Sequence, residues 1–170
     1  RMGLTFTGMK IDHVKLRGGT DGVVAQLSGG VKTLLQKRGV EIVHGRARFQ
    51  DSHSLAIEGG GTIAFKQCII ATGSSLNRLP AGNRPGRWAS AGAPELAEGA
   101  ASLLVVGGGY IGLELGLVYA GLGSEVSVVE FFPRLLMGAD HDLVDVMVKQ
   151  VSKRLHAVMT DSKVKGIAPR

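Results

Sequence analysis

The sequence predicts an α/β protein with two kinds of sheet, a small antiparallel three-stranded layer followed by a parallel one. Three observations predict it. Between residues 40 and 66 the apolar residues recur with a period of two, as in half-buried strands. From 102 to 159 strand-like and helix-like stretches alternate, the order that builds a parallel sheet with right-handed crossovers. A segment punctuated by Pro80, Pro85 and Pro94 separates the two and reads as an interdomain crossover over 76–101.

The elements follow in order. Val23, Val24, Leu27, Val31, Leu34 and Leu35 fall at helical spacing, so 10–38 is expected to be mostly helical. Gly18-Gly19 predicts a kink or break, because an interior glycine costs roughly 1 kcal/mol against alanine. Gly39 after Lys37-Arg38 is a stop signal. Val40–Val43 reads as a strand that bends and continues from Gly45 to Phe49. Ser54–Glu58 and Thr62–Phe65 read as a hairpin across the triple glycine 59–61. Cys68-Ile69-Ile70-Ala71 reads as a short buried strand ending at Thr72-Gly73-Ser74. In the second half, strands are expected at 102–106 and 125–129, a helix at 110–122, a second helix at 142–155 and a third strand from Ala157 to Met159. Leu143, Met147, Val151 and Leu155 form an i, i+4 stripe along the second helix. Asp140, Asp142 and Asp145 lie at its start, and Lys149, Lys153 and Arg154 near its end, as the helix dipole favours.

Composition narrows the function classes. The chain has 170 residues, 44% of them hydrophobic, and a mean hydropathy of +0.17, which describes a core-forming protein of about one full domain. No run of 18 apolar residues occurs, so no membrane span is expected; the N-terminal Arg-Met-Gly-Leu lacks a charged region followed by an apolar run, so no signal peptide is expected. The net charge of +6 comes from dispersed basic residues with no aromatic platform among them. That pattern argues against a nucleic-acid partner and suits a binder of anionic cofactors. Cys68 is the one cysteine, which excludes an internal disulfide and a Cys-x-x-Cys pair; the cytoplasm is the expected compartment.

One constellation carries chemistry. Gly107-Gly108-Gly109-Tyr110-Ile111-Gly112 matches G-x-G-x-x-G, follows the apolar strand Leu103–Val106 and opens a helix. Glu130 then ends the next strand. Strand, glycine turn, helix and acid in this register form a dinucleotide-binding pattern of the Rossmann type. Gly107 permits the tight turn. Gly109 lets a pyrophosphate approach the backbone, and Gly112 lets the helix pack on the sheet. Free N–H groups and the helix dipole favour the phosphates. Gly112, Gly116 and Ala120 form a small-residue stripe toward the sheet. A carboxylate at Glu130 accepts hydrogen bonds from a ribose 2′-hydroxyl and repels a 2′-phosphate, which favours NAD over NADP. Arg134, four residues on, is the group that would attract that phosphate, and a solvated strand-end acid is the plainer alternative for Glu130. Glu114 lies about 200° around the helix from the small-residue stripe. It is either solvent-exposed or a partner to a second cofactor.

The run LLVVGGGYIGLELGLVYAGLGSEVSVVEFFPRLL, Leu103 to Leu136, resembles the NAD-binding unit of the dihydrolipoamide dehydrogenases, members of the flavin-dependent pyridine nucleotide–disulfide oxidoreductases. Upstream, Cys68-Ile-Ile-Ala-Thr-Gly-Ser-Ser is similar to the segment in which that family's chain passes the FAD. Val40-Glu-Ile-Val-His-Gly-Arg-Ala-Arg-Phe resembles the strand before it. The resemblance covers essentially the whole chain. It implies an internal fragment of a flavoprotein with two dinucleotide-binding domains, residues 1–82 belonging to an FAD domain and 83–170 to the first part of an NAD domain.

By the same resemblance, Ala47, Thr72, Gly73 and Ser74 contact FAD. Gly107, Gly108, Gly109, Tyr110, Ile111, Gly112, Leu113, Glu130 and Val164 serve NAD, with Tyr110 gating the nicotinamide pocket and Glu114 beside the flavin. The family's redox pair, Cys-x-x-x-x-Cys, does not occur in these 170 residues, and Cys68 reads as a small buried hydrophobe. The intact enzyme implied is an FAD-dependent oxidoreductase that reoxidises dihydrolipoyl groups with NAD. Its implied partner is the lipoyl-bearing acyltransferase of a 2-oxo acid dehydrogenase complex, and it is expected to be a homodimer. This stretch alone is expected to lack activity, retain FAD poorly and self-associate through uncovered edges. A non-catalytic NAD(H)-binding module and another NAD-linked flavoprotein disulfide reductase are the alternatives.

Overall fold

The computed structural model describes residues 8, 10–76, 89, 92 and 100–166. Most of the proline-marked crossover, and the boundary placed at 82/83, lie outside the described residues. The chain divides into two compact units, one of residues 21–75 and one of 76–170 together with 1–20.

Helix α1 (His13–Lys37) crosses the division in sequence and runs for 25 residues without a break. The kink expected at Gly18-Gly19 does not form. Glycine lowers helix propensity but blocks no hydrogen bond, and no proline is present to remove one. The helix stops where the lysine–arginine–glycine signal places its end. Gly39 adopts φ +69, its N–H bonds the carbonyl of Gln36 and the next N–H, of Val40, bonds that of Leu35. That pair of bonds is a Schellman cap, which favours glycine at the left-handed position. No residue of α1 is fully buried: Val23, Val24, Leu27, Val31 and Leu34 are exposed and Leu35 is half-buried.

The unit of residues 21–75 also holds the antiparallel sheet β1 (Ala47–Asp51), β2 (Ser54–Ile57) and β3 (Thr62–Ala64), in that order. The glycine hairpin forms as expected, with Gly59 at φ +75 and the Ile57 N–H donating across the turn to the Gly61 carbonyl at 3.0 Å. At the β1–β2 turn Asp51 accepts from the His53 N–H and the Ser54 hydroxyl, both at 2.7 Å. Two expected strands are absent. Residues 40–46 are irregular, and so is Cys68–Ala71, where Cys68 is exposed and Ile69 is 92% exposed. Cys68 is therefore not a buried core residue. A strand of β-branched residues needs a neighbour for its backbone groups, and no described segment pairs with these two.

The other unit holds β4 (Ser102–Val106), α2 (Tyr110–Gly121), β5 (Glu125–Val129), α3 (His141–Val151) and β6 (Ala157–Met159). The strands form one sheet in the order β4-β5-β6, all parallel, with Leu104 opposite Ser127 and Val128 opposite Val158. Leu113, Tyr119, Val126, Val128, Leu135, Val151 and Leu155 make its core. Helix α3 is shorter than expected and its buried face differs: Val144 and Val151 are buried and Met147 and Val148 pack against the core, while Leu143 is exposed. Spacings of three and four alternate on a straight helix, so a strict i, i+4 row drifts off the buried face. Leu155 follows the helix end and is still buried. The helices cover one face of the sheet. Leu104, Val106 and Met159, which share the other, are exposed.

Candidate functional site: a glycine turn and its acid

The site lies at the carboxyl ends of β4 and β5, where ligands of open α/β sheets bind. Each glycine of 107–112 has a separate reason to lack a side chain. Gly107 leaves β4 at φ +111, a region that favours glycine, and its N–H still bonds the Val129 carbonyl at 2.9 Å. At Gly112 a Cβ would overlap the Gly107 carbonyl oxygen and come within 3.0 Å of Val105 Cγ1, so the helix closes on the strand only without one. Gly116 continues that close approach: a Cβ there would lie 3.4 Å from both Val105 Cγ2 and Val126 Cγ1. The small-residue stripe does face the sheet.

Gly109 is different. A Cβ there would meet nothing within 4 Å, and its backbone angles of −76° and 174° are open to any residue. No protein packing requires glycine at this point; open approach to the backbone remains as the reason. Gly109 is also the N-cap of α2 and supplies no side-chain cap. The first-turn N–H groups of α2 have no intrahelical acceptors, so they present donors and positive dipole to whatever approaches. This cradle fits a pyrophosphate.

Gly108 has a role that motif reading leaves blank. A Cβ on it would overlap Leu135 Cδ2 and lie 3.2 Å from Glu130 Cβ. Its N–H donates to Glu130 Oε2 at 2.5 Å, and its carbonyl accepts from the Leu136 N–H at 3.0 Å. The visible signal was the third glycine in a motif that asks for only two at that turn. Leu135, buried at 2% exposure, left no signal beyond being apolar.

Glu130 follows β5 directly and is 8% exposed, the buried charged residue among those described. Its Oε1 accepts from the Phe132 N–H at 2.9 Å. Its own backbone is fixed by bonds to Met159 and Ser162. It is not the loosely solvated acid that strand-end position alone allows. Arg134 lies in the loop after it, where Nε donates to Met137 Sδ at 3.5 Å and the buried Nη1 has no hydrogen-bond partner among the described residues.

Tyr110 and Ile111 are exposed on the first turn of α2, and Leu113 is buried beneath it. Glu114 is exposed, on the side of α2 away from the sheet as its position around the helix predicts. Val164 is partly buried beyond β6. The unit of residues 21–75 carries the other candidates: Ala47 opens β1, and Thr72, Gly73 and Ser74 are exposed, with Gly73 at φ +72. The described residues contain no cluster of side chains able to hold a metal ion and no helix long and apolar enough to cross a membrane.

Known proteins resemble this chain over nearly all of it. The pattern of the pyridine nucleotide-disulphide oxidoreductase family matches residues 4–170. A dihydrolipoyl dehydrogenase of Haemophilus influenzae is 41% identical over 171 residues, 97% of this chain and 36% of the relative. One of Geobacillus stearothermophilus is 38% identical over 173 residues, 99% of this chain and 37% of the relative. Among solved structures, the HOCl-induced flavoprotein disulfide reductase RclA of Escherichia coli superposes with a TM-score of 0.81 at 26% identity, over 92% of this chain and 37% of that one. The chain thus spans 36–37% of the length of these two curated relatives. It belongs to the pyridine nucleotide-disulphide oxidoreductase family.

Proposed function

We propose that residues 102–166 bind NAD(H), with the pyrophosphate on the Gly107–Gly112 turn and the adenosine ribose at Glu130. The observation that carries this reading is the open approach at Gly109 beside two glycines whose side chains are excluded by the protein itself. Val164 would lie near the adenosine, and Tyr110, Ile111 and Leu113 belong to the helix turn that receives the phosphates. The negative charge of Glu130 disfavours a 2′-phosphate, so NAD is the assigned cofactor.

The dihydrolipoyl dehydrogenase relatives support placing this chain in an FAD- and NAD-linked enzyme of the same activity. We assign residues 1–82 to its FAD domain and 83–170 to its NAD domain. Ala47, Thr72, Gly73 and Ser74 would contact FAD, and Glu114 would stand beside the flavin. When bound, FAD supplies two-electron transfer between a dithiol and NAD. This chain's residues hold and orient the cofactors; none is assigned to the dithiol step, for which a lone cysteine is insufficient. A lipoyl-bearing acyltransferase as partner, a homodimeric whole enzyme and a cytoplasmic location complete the reading. The likeness to RclA favours a second reading, another NAD-linked flavoprotein disulfide reductase.

Titrating NADH and NADPH into the chain tests the nucleotide assignment: NADH should bind more tightly, and equal or tighter NADPH binding defeats it. The pure chain should produce no NADH from dihydrolipoamide, and turnover free of contaminating enzyme would refute that. Activity of the longer parent protein with dihydrolipoamide separates the first reading from the second.

A further inference from the structure

A cofactor-selecting acid needs only a carboxylate within reach of the ribose. Glu130 does more. Its two oxygens are already engaged by backbone, Oε2 by the Gly108 N–H and Oε1 by the Phe132 N–H. The carboxylate thereby joins the turn after β4 to the loop after β5, 22 residues apart in sequence. A buried charge is tolerated where hydrogen bonds replace its water, and bonds to an ionised acceptor are the strong ones.

The rest of the loop closes on the same point. Leu135 occupies the space that a Gly108 side chain would need. Leu136 returns its N–H to the Gly108 carbonyl while held at φ +50, a left-handed conformation that a leucine adopts only when its surroundings impose it. Each carboxylate oxygen accepts one backbone bond and retains a second lone pair. A ribose hydroxyl can therefore share the carboxylate with the turn without displacing it.

We propose that Glu130 is a positioning residue that assembles the phosphate-binding turn before a ligand arrives, so that affinity depends on the reach of its side chain and cofactor choice on its charge. This rests on the nucleotide reading for its ligand, but the clamp itself is a property of the free protein. Aspartate separates the two contributions. It keeps the charge and retracts the carboxylate by one methylene, about 1.5 Å, too far to span both N–H groups.

The test compares Glu130→Asp and Glu130→Gln in the 170-residue chain by two measurements. Amide hydrogen exchange without ligand should quicken at Gly108 and Phe132 by about tenfold or more in Glu130→Asp, as for loss of bonds to a charged group, with Val128 unchanged. In Glu130→Gln, which keeps shape and one acceptor oxygen, one of the two amides should quicken and the other hold. Dissociation constants for NADH and NADPH should both rise about tenfold in Glu130→Asp, with their ratio preserved. Unchanged exchange at Gly108 and Phe132 in both variants overturns the clamp. So does a Glu130→Asp variant that binds NADH as tightly as the wild type. If Glu130→Asp loosens Val128 as well, the Glu130→Gln exchange pattern decides. If the wild-type chain binds neither nucleotide, the nucleotide reading fails, and the ligand-free exchange alone supports or overturns the clamp.

Discussion

Both sheets of this chain carry apolar residues along their strands, more densely in the parallel one, and they reach different ends. In the parallel sheet Val126 and Val128 are 1% and 0% exposed, because α2 and α3 lie over them. In the unit of residues 21–75, all of β1 is exposed, and the Val40–Val43 and Cys68–Ala71 runs form no strand. The helices repeat the contrast. Helix α3, of 11 residues, buries Val144 and Val151, whereas α1, of 25, buries none. An apolar pattern states which face wants covering. Only a neighbour of the right shape turns that preference into burial and stability.

The largest expected effect sharpens this contrast directly. Leu113→Ala, in the core under α2, should destabilise the parallel unit by about 2–5 kcal/mol, the range for truncating a buried leucine. Leu27→Ala, on the bare face of α1, should change stability by no more than about 0.5 kcal/mol. Urea unfolding followed by circular dichroism measures both. A cost above about 2 kcal/mol for Leu27→Ala would break the comparison, and would mean that self-association covers α1 in solution.

Within the glycine turn the same question can be asked one residue at a time. Gly112→Ala should cost about 1–3 kcal/mol by overpacking, because its Cβ meets the rigid Gly107 carbonyl and Val105. Gly109→Ala should leave thermal stability within about 0.5 kcal/mol, since nothing stands near its Cβ. It should instead weaken NADH binding by about tenfold. Loss of stability in Gly109→Ala, or undiminished NADH affinity, would show that this glycine serves packing.

The smallest effect belongs to the antiparallel hairpin. Asp51 has its carboxyl pKa lowered from the usual 3.8, first by the Ser54 hydroxyl and then by the His53 N–H. A carboxylate depressed in the folded state contributes stability that is present above its unfolded pKa and is lost as pH falls through the folded value. The window therefore lies below about pH 4. The carboxylate is fully exposed, so solvent screening keeps the contribution small. An NMR titration of Asp51 should show a midpoint below the ordinary value and a rise toward it in Ser54→Ala. An unmoved midpoint would remove the hydroxyl from the account.

Much of this was legible in the sequence, for local reasons. Gly39 ends α1, glycines 59–61 turn the hairpin, and the β-α-β-α-β order with its glycine motif and Glu130 follows from backbone rules that operate over a few residues. The unbroken α1 across Gly18-Gly19 went the other way because propensity is a weak prior against a run of intact hydrogen bonds. Leu143 shares the spacing stripe of Met147 and Val151 yet is exposed, while Val144 is buried, because adjacent positions are about 100° apart and only the packed core chooses between them.

What tertiary structure alone decided are the long-range facts. Whether Val40–Val43 and Cys68–Ala71 become strands depends on partners that a local pattern cannot supply. The need for glycine at 108 comes from Leu135 and Glu130, more than twenty residues away, arriving at the same few cubic ångströms. The sequence by itself determined that an acid stands at the end of β5. Only the fold decided that the acid is buried and bonded to the glycine turn, because hydrogen bonding depends on distance in space and not on distance along the chain.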